Sequence, residues 1–168
     1  NNNVYGIILT PTPIQPVNKK LFDTIREQGT KIIFTGYFQK DMSGFQSNCI
    51  LPDFVHSGRT ATILMAMAGY KNFVYTETSA SPGSIPFELL KQGFEEAVRD
   101  YGLNRIPDLK LCGTESSDLD PDSPESAKHL FSTLKELPEK TVIITPHRGR
   151  INGLYSVLKQ TGKNIPEQ

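Results

Sequence analysis

An excess of charge of either sign, cysteine and long apolar runs are all scarce in this chain, and each scarcity excludes something. Lysine plus arginine and aspartate plus glutamate number 18 each across 168 residues, so no global positive field argues for nucleic acid bound within this segment. Two cysteines, Cys49 and Cys112, stand in unrelated contexts without CxxC or histidine-rich spacing. They read as small core hydrophobes in a reducing compartment, and neither a zinc site nor a cofactor is expected. No apolar run approaches the roughly 20 residues that a membrane span needs, and the first residues, NNNVYG, lack the basic and apolar regions of a signal peptide. These residues predict a cytoplasmic segment with no membrane partner. There is also no GxGxxG after a strand, no GxxxxGK[ST], no GxSxG and no HExxH, so nothing in the sequence assembles an enzyme.

What is present is an alternation of apolar runs and amphipathic stretches. The stretch from Asp53 to Gly102 carries the clearest punctuation. Asp53 offers a carboxylate at a helix start, Ala61 to Ala68 is rich in good helix formers, and Gly69 is placed to end the helix. KNFVY then reads as a strand, TETSASPGSIP as a loop, and FELLKQGFEEAVRDYG as a helix. In that helix the predicted inner stripe is Phe87, Leu90, Phe94, Ala97 and Tyr101, with Glu88, Glu95, Glu96 and Arg99 facing water and Gly102 as the stop.

The flanks repeat the pattern. YGIILTPTP reads as a buried parallel strand, Pro16 opens a helix with Val17, Leu21, Phe22 and Ile25 inward, Gly29 ends it, and TKIIFTG is a second buried strand. That makes one βαβ unit, followed by an irregular loop with a short strand at Asn48–Leu51. Beyond Gly102, a strand is expected at 108–112 and an acidic loop after it. Ser123-Pro124-Glu125 starts a helix with Ala127, Leu130, Phe131, Leu134 and Leu137 inward. TVIIT is a buried strand, PHRGR a loop at its carboxyl end, and Ile151, Leu154, Tyr155 and Leu158 the stripe of a last helix closed by Gly162. The expected strands are 5–10, 31–35, 72–76, 108–112 and 141–145. The fold class is therefore α/β, with doubly wound parallel sheets in two lobes, residues 1–52 and 53–168. Such sheets bind ligands beyond the carboxyl ends of their strands.

The order of GIIL, a helix, KIIF, PDxxxxG opening a helix that ends in AGY, QGFEEAVRDYG, TVIIT and GLYSVLKQTGKNIPE resembles the effector-binding core of lactose-repressor (LacI/GalR) family transcription regulators over nearly the whole chain. The resemblance implies a periplasmic-binding-protein-like fold, two lobes closing on a small ligand in the cleft between them, and a core truncated at both ends. It further implies a homodimer that reaches DNA through a helix-turn-helix headpiece outside this segment. Asp53 matches the family's acidic ligand-contacting position. Where the family carries an arginine three residues before the glycine of its GF motif, this chain has Leu90, which removes a bidentate anchor for sugar hydroxyls. Where the family carries Asn-Asp after the late strand, this chain has His147 and Arg148, which reverses the local charge.

A cleft bearing Arg148, and Arg150 beside it, suits a sugar phosphate or sugar acid, with Asp53 and Ser84 available for hydroxyl or amine groups. Each residue also has a plainer reading. Asp53 serves equally as a helix cap and Leu90 as core. His147 and Arg148 follow a strand in an ordinary glycine-bearing loop. Ser79, Ser81 and Ser84 are common turn residues, His56 and His129 read as surface or satisfied histidines, and Arg59 as solvated. Two other classes share this outline: a solute-binding protein of a sugar transporter, and an α/β enzyme with its catalytic residues scattered.

Overall fold

The computed structural model describes residues 4–10, 19–36, 49–78, 85–111, 130–146 and 148–163. Among them two separate three-stranded sheets form, both parallel. The first contains β1 (Gly6–Leu9), β2 (Lys31–Thr35) and the two-residue β3 (Cys49–Ile50) in that order, with α1 (Lys19–Glu27) between β1 and β2. Ile7 pairs with Ile32 and Leu9 with Phe34. Phe22 and Ile25 of α1 pack on Ile32 and Phe34, together with Leu9 and Cys49, and the Phe22 and Phe34 rings meet edge to face at 5.4 Å. That contact accounts for the core role expected of Cys49; Cys112 and Val17 lie outside the described residues.

The first sheet corrects the expectation of fully buried strands. β2 alternates strictly, with Ile32 and Phe34 buried while Lys31 and Ile33 are exposed. Ile8, opposite Ile33, is 75% exposed and Ile50 is 64% exposed. A helix crosses one face only, so the alternate side chains of each strand have no covering layer among the described residues. Leu21, expected on the inner stripe, is 51% exposed, because α1 turns only Phe22 and Ile25 onto the sheet.

The second sheet is covered on both faces. Its order is β5 (Asn104–Leu111), β4 (Asn72–Thr78), β6 (Thr141–Ile144), so the chain passes from the central strand to one edge and then to the other. Such a reversal places successive crossovers on opposite faces. On one face α3 (Ile85–Asp100) sets Leu90, Phe94 and Val98 against Phe73, Tyr75, Val142 and Ile144, and Ala66 of α2 (Phe54–Met67) joins them. On the other, α4 (Phe131–Glu136) and α5 (Arg148–Gln160) contribute Leu134, Leu154 and Val157 to a cluster with Val74, Ile106, Leu109 and Ile143.

Several boundaries and stripes depart from the sequence expectation. β5 starts at Asn104 rather than 108, because Asn104 to Ile106 pair with Asn72 to Val74. β4 runs on to Thr78, and α3 begins at Ile85 with Pro86 in its first turn, where a missing N–H costs nothing. Tyr101 is 53% exposed, since the helix has already ended in a turn at Gly102. Ile151 and Tyr155 are 50% and 41% exposed, while Gly153, Leu154 and Val157 are buried, so α5 is rotated relative to the predicted stripe. Phe131 is half-exposed for the same kind of reason, and Leu130, Leu134 and Leu137 make the contact instead. Ser123 to Ala127, Asn48 and His129 lie outside the described residues.

Helix ends behave as their residues require. At the end of α2 the Gly69 N–H donates to Ala66 O and the Tyr70 N–H to Met65 O, which is the Schellman pattern, and Gly69 has φ +90°. Gly102 repeats it after α3, bonding Arg99 O while Leu103 bonds Val98 O.

Candidate functional site

The carboxyl ends of the strands place small polar groups together. In the first sheet the hydroxyls of Thr10 and Thr35, one after β1 and one ending β2, share a 2.9 Å hydrogen bond. In the second, Thr76 is fully buried near the end of β4 and its hydroxyl donates to Ile144 O at 3.4 Å. Next to it, the Thr145 Oγ1 just beyond β6 is buried without a hydrogen-bond partner. An orphaned hydroxyl of this kind costs about 1–3 kcal/mol, which a ligand or solvent partner would recover. Neither threonine stands out in the sequence; the only signal is their position as the residues that end apolar strands.

Asp53 follows β3 directly and caps α2. Its Oδ1 accepts from the His56 N–H at 2.8 Å, and its carbonyl accepts from the Ser57 hydroxyl at 2.8 Å. The residue is exposed, so capping uses one carboxylate oxygen, leaving lone pairs of the other open to a ligand. Leu90 is partly buried and packs on the Phe73, Tyr75, Phe94 and Val98 cluster. It also lies against α2: a Cβ added at Gly58 would meet Leu90 O at 2.1 Å. Asp53 and Leu90 thus belong to one rigid helix pair. Ser84 and His147 lie outside the described residues, as do Ser79 and Ser81. Arg148 is the first residue of α5, so its backbone is at a helix N-terminus. Arg150 lies in the first turn of the same helix. His56 is exposed, with its ring 3.3 Å from the Thr60 hydroxyl. Arg59, partly exposed, donates to Asp100 at 2.7 Å, which holds the Asp100 carboxyl below its usual range.

Two features went unforeseen. The first is the crossing of α2 and α3 on Gly58 and Gly93. A Cβ at Gly93 would meet Val55 O at 1.9 Å, the mirror of the Gly58 contact with Leu90 O, so the two backbones touch through their glycines. An isolated glycine inside a helical pattern was the available signal. The second is a charge network behind the sheet. Val74 pairs with Ile106 and Thr76 with Leu109, so Tyr75 faces both Pro107 and Asp108 in a bulge. The bulge sets Asp108 beside Arg105, and Lys91 reaches it at 2.5 Å. Arg105 also grips Glu95 through Nε at 3.1 Å and Nη2 at 2.8 Å and lies 4.8 Å over the Phe94 ring. Burial pulls the Arg105 guanidinium down, but its hydrogen bonds to Glu95 and Asp108 outweigh that and leave it raised. This network fastens α3 to β5.

A depression of about 560 Å³ lies elsewhere, lined by Arg26, Lys31, Ile33, Cys49 and Ile50 among others. It begins at the amino end of β2, where β3 is too short to pair, and involves none of the strand-end hydroxyls. Among the described residues no group of three or more acidic, histidine or cysteine side chains could hold a metal ion, and no helix is long and apolar enough to cross a membrane.

No protein-family model and no curated protein matches this chain. Solved structures do. A PurR family transcriptional regulator from Vibrio parahaemolyticus superposes over 96% of the chain with TM-score 0.68 at 12% identity, covering 56% of its own length. A LacI family transcriptional regulator from Enterococcus faecium, solved with bound ribose, matches 98% of the chain and 55% of its own at TM-score 0.64 and 20% identity. The substrate-binding protein of a sugar ABC transport system from Bordetella parapertussis matches 95% and 47% at TM-score 0.64 and 15% identity. The chain spans about half the length of these structures. It has the periplasmic-binding-protein-like α/β fold shared by LacI-type transcriptional regulators and sugar-transport substrate-binding proteins.

Proposed function

We propose that this chain is part of the effector-sensing core of a DNA-binding transcriptional regulator that takes a sugar-like or anionic carbohydrate ligand between two lobes, residues 1–52 and 53–168. The observation that carries the reading is the match over 95–98% of the chain to regulators and a sugar-binding protein, one of them with ribose bound. The strand-end hydroxyls of Thr10, Thr35, Thr76 and Thr145 support it, because polar groups beyond the carboxyl ends of parallel strands are where such sheets hold ligands. Asp53, Ser84, Leu90, His147 and Arg148 are the proposed contacts. Leu90 makes an apolar wall, Arg148 at the start of α5 holds an acid or phosphate, and Asp53 takes a hydroxyl or amine.

A ligand with higher affinity for one interlobe angle shifts the population toward it, and one that binds both angles equally shifts nothing. In a homodimer that angle sets the spacing of two helix-turn-helix heads, and hence operator affinity. Calorimetry against neutral sugars, sugar phosphates and sugar acids tests the site. Loss of a charge-assisted hydrogen bond costs on the order of 1.5–3 kcal/mol, so Arg148→Ala is expected to weaken an anionic ligand by about tenfold to a hundredfold. Tight binding of a neutral sugar that Arg148→Ala leaves unchanged would discard the anionic ligand and keep the regulator. The transport match favours a second reading, a solute-binding protein. The sequence of the intact gene product separates them: a helix-turn-helix headpiece marks a regulator, an apolar signal segment a transporter component.

A further inference from the structure

The hollow at the amino end of β2 follows from the shortness of β3. Because β3 pairs only with Phe34 and Thr35, no strand lies alongside Lys31 to Ile33 on that edge among the described residues. Ile32 and Ile33, neighbours in the chain whose side chains point to opposite faces, both line the hollow, so it runs along the edge of the sheet rather than over one face. Its volume of about 560 Å³ is that of a small-molecule site. Charge is set at one end. Lys31 starts β2 on the exposed face, and Arg26 sits in the last turn of α1, which packs on the other face, so two cations bracket the edge where the strand begins. Ile33, Cys49 and Ile50 line the hollow further along, and none of the described lining residues is acidic. The negative pole of α1 adjoins the cationic end, but it amounts to about half a charge against two whole ones. Its Ile25 and Arg26 carbonyls, moreover, already accept the Thr30 and Gly29 N–H groups.

We propose that this hollow is a ligand site in its own right, taking a small linear carboxylate with an apolar tail. The carboxylate lies between Arg26 and Lys31, and the tail runs past Ile33 toward Cys49 and Ile50. Cys49 is level with Phe34, three strand residues beyond Lys31, a span of about 10 Å that suits a medium-length alkyl chain. A sugar fits less well, because its hydroxyls need partners along their whole length and the far end offers two isoleucines and a thiol. None of the strand-end hydroxyls lines the hollow, so the site does not rest on the ligand reading above.

Cys49 makes the test local. In a Cys112→Ser variant, alkylation of Cys49 by iodoacetamide is followed at one fixed pH, since burial pushes this thiol up and only its thiolate reacts. Octanoate is the probe, with 1-octanol and octylamine as its neutral and cationic counterparts. Saturable protection by octanoate is expected, with 1-octanol at least about tenfold weaker and octylamine without effect. Lys31→Glu and Ile50→Glu, which set an anion at the head and tail ends, are each expected to raise the octanoate midpoint by more than about tenfold, and Arg26→Gln severalfold, while circular dichroism keeps the native spectrum. Lys31→Gln replaces Lys31→Glu if that variant fails to fold. No protection at any octanoate concentration overturns the proposal. So does equal protection by 1-octanol, protection that the Lys31 variant leaves unchanged, or calorimetric binding of octanoate that leaves Cys49 as reactive as before.

Discussion

Asp53 serves α2 whether or not it also meets a ligand, and the two roles separate by substitution. Its Oδ1 accepts the His56 amide, one of the four N–H groups that a helix start leaves unpaired. Asparagine keeps that acceptor and alanine removes it, so Asp53→Ala should cost about 1 kcal/mol in urea unfolding while Asp53→Asn costs little. Ligand affinity measured on Asp53→Asn then reports only the loss of charge. If Asn and Ala destabilise equally, the cap does not depend on the side-chain acceptor and the assignment fails. The sequence made this cap legible, because an aspartate before an apolar-periodic stretch has few other local uses. It could not make Thr145 legible as an unpartnered hydroxyl: that depends on which carbonyls the neighbouring strand presents, and no local pattern encodes them.

At the scale of elements, the α2–α3 pair depends on two hydrogen atoms. Gly58→Ala would set a methyl 2.1 Å from Leu90 O and Gly93→Ala one 1.9 Å from Val55 O, and both obstacles are backbone rather than yielding side chain. Either change should push the helices apart and cost about 3 kcal/mol, at the upper end of overpacking penalties. The double variant should cost clearly less than the sum, because one separation relieves both clashes. Additive losses in thermal or urea unfolding would count against a shared contact. Existence and type of the helices followed from periodicity, yet the rotation of α5 did not. Ile151 and Tyr155 scored as stripe members by residue type, and the cluster of Val74, Leu109 and Leu134 selected Leu154 and Val157 instead. Strand β5 was likewise half hidden, since Pro107 suggests an end and the bulge opposite Tyr75 turns it into a continuation.

For the whole molecule, two parallel sheets and their strands were readable from apolar runs alternating with helical spacing. The side of the first sheet that has no covering layer among the described residues was not, since Ile8 and Ile33 read as buried whatever covers them. The strand order β5-β4-β6 carries a further consequence, one of time rather than of architecture. Asn72 and Asn104, hydrogen-bonded across β4 and β5, are 32 residues apart in the chain, as against 68 between Thr76 and Ile144 across β4 and β6. Closing the longer loop costs roughly 0.6 kcal/mol more, and the contacts that reward it come only after closure. The central strand should therefore acquire its two neighbours in sequence during refolding, β5 before β6. Pulsed hydrogen exchange checks this: amides of Ile106 and Leu109 should gain protection ahead of those of Val142 and Ile143. Until β6 arrives, one whole edge of β4 stands unpaired, so the interval between the two closures is the period in which this chain can be captured by another strand, including that of a second unfinished copy.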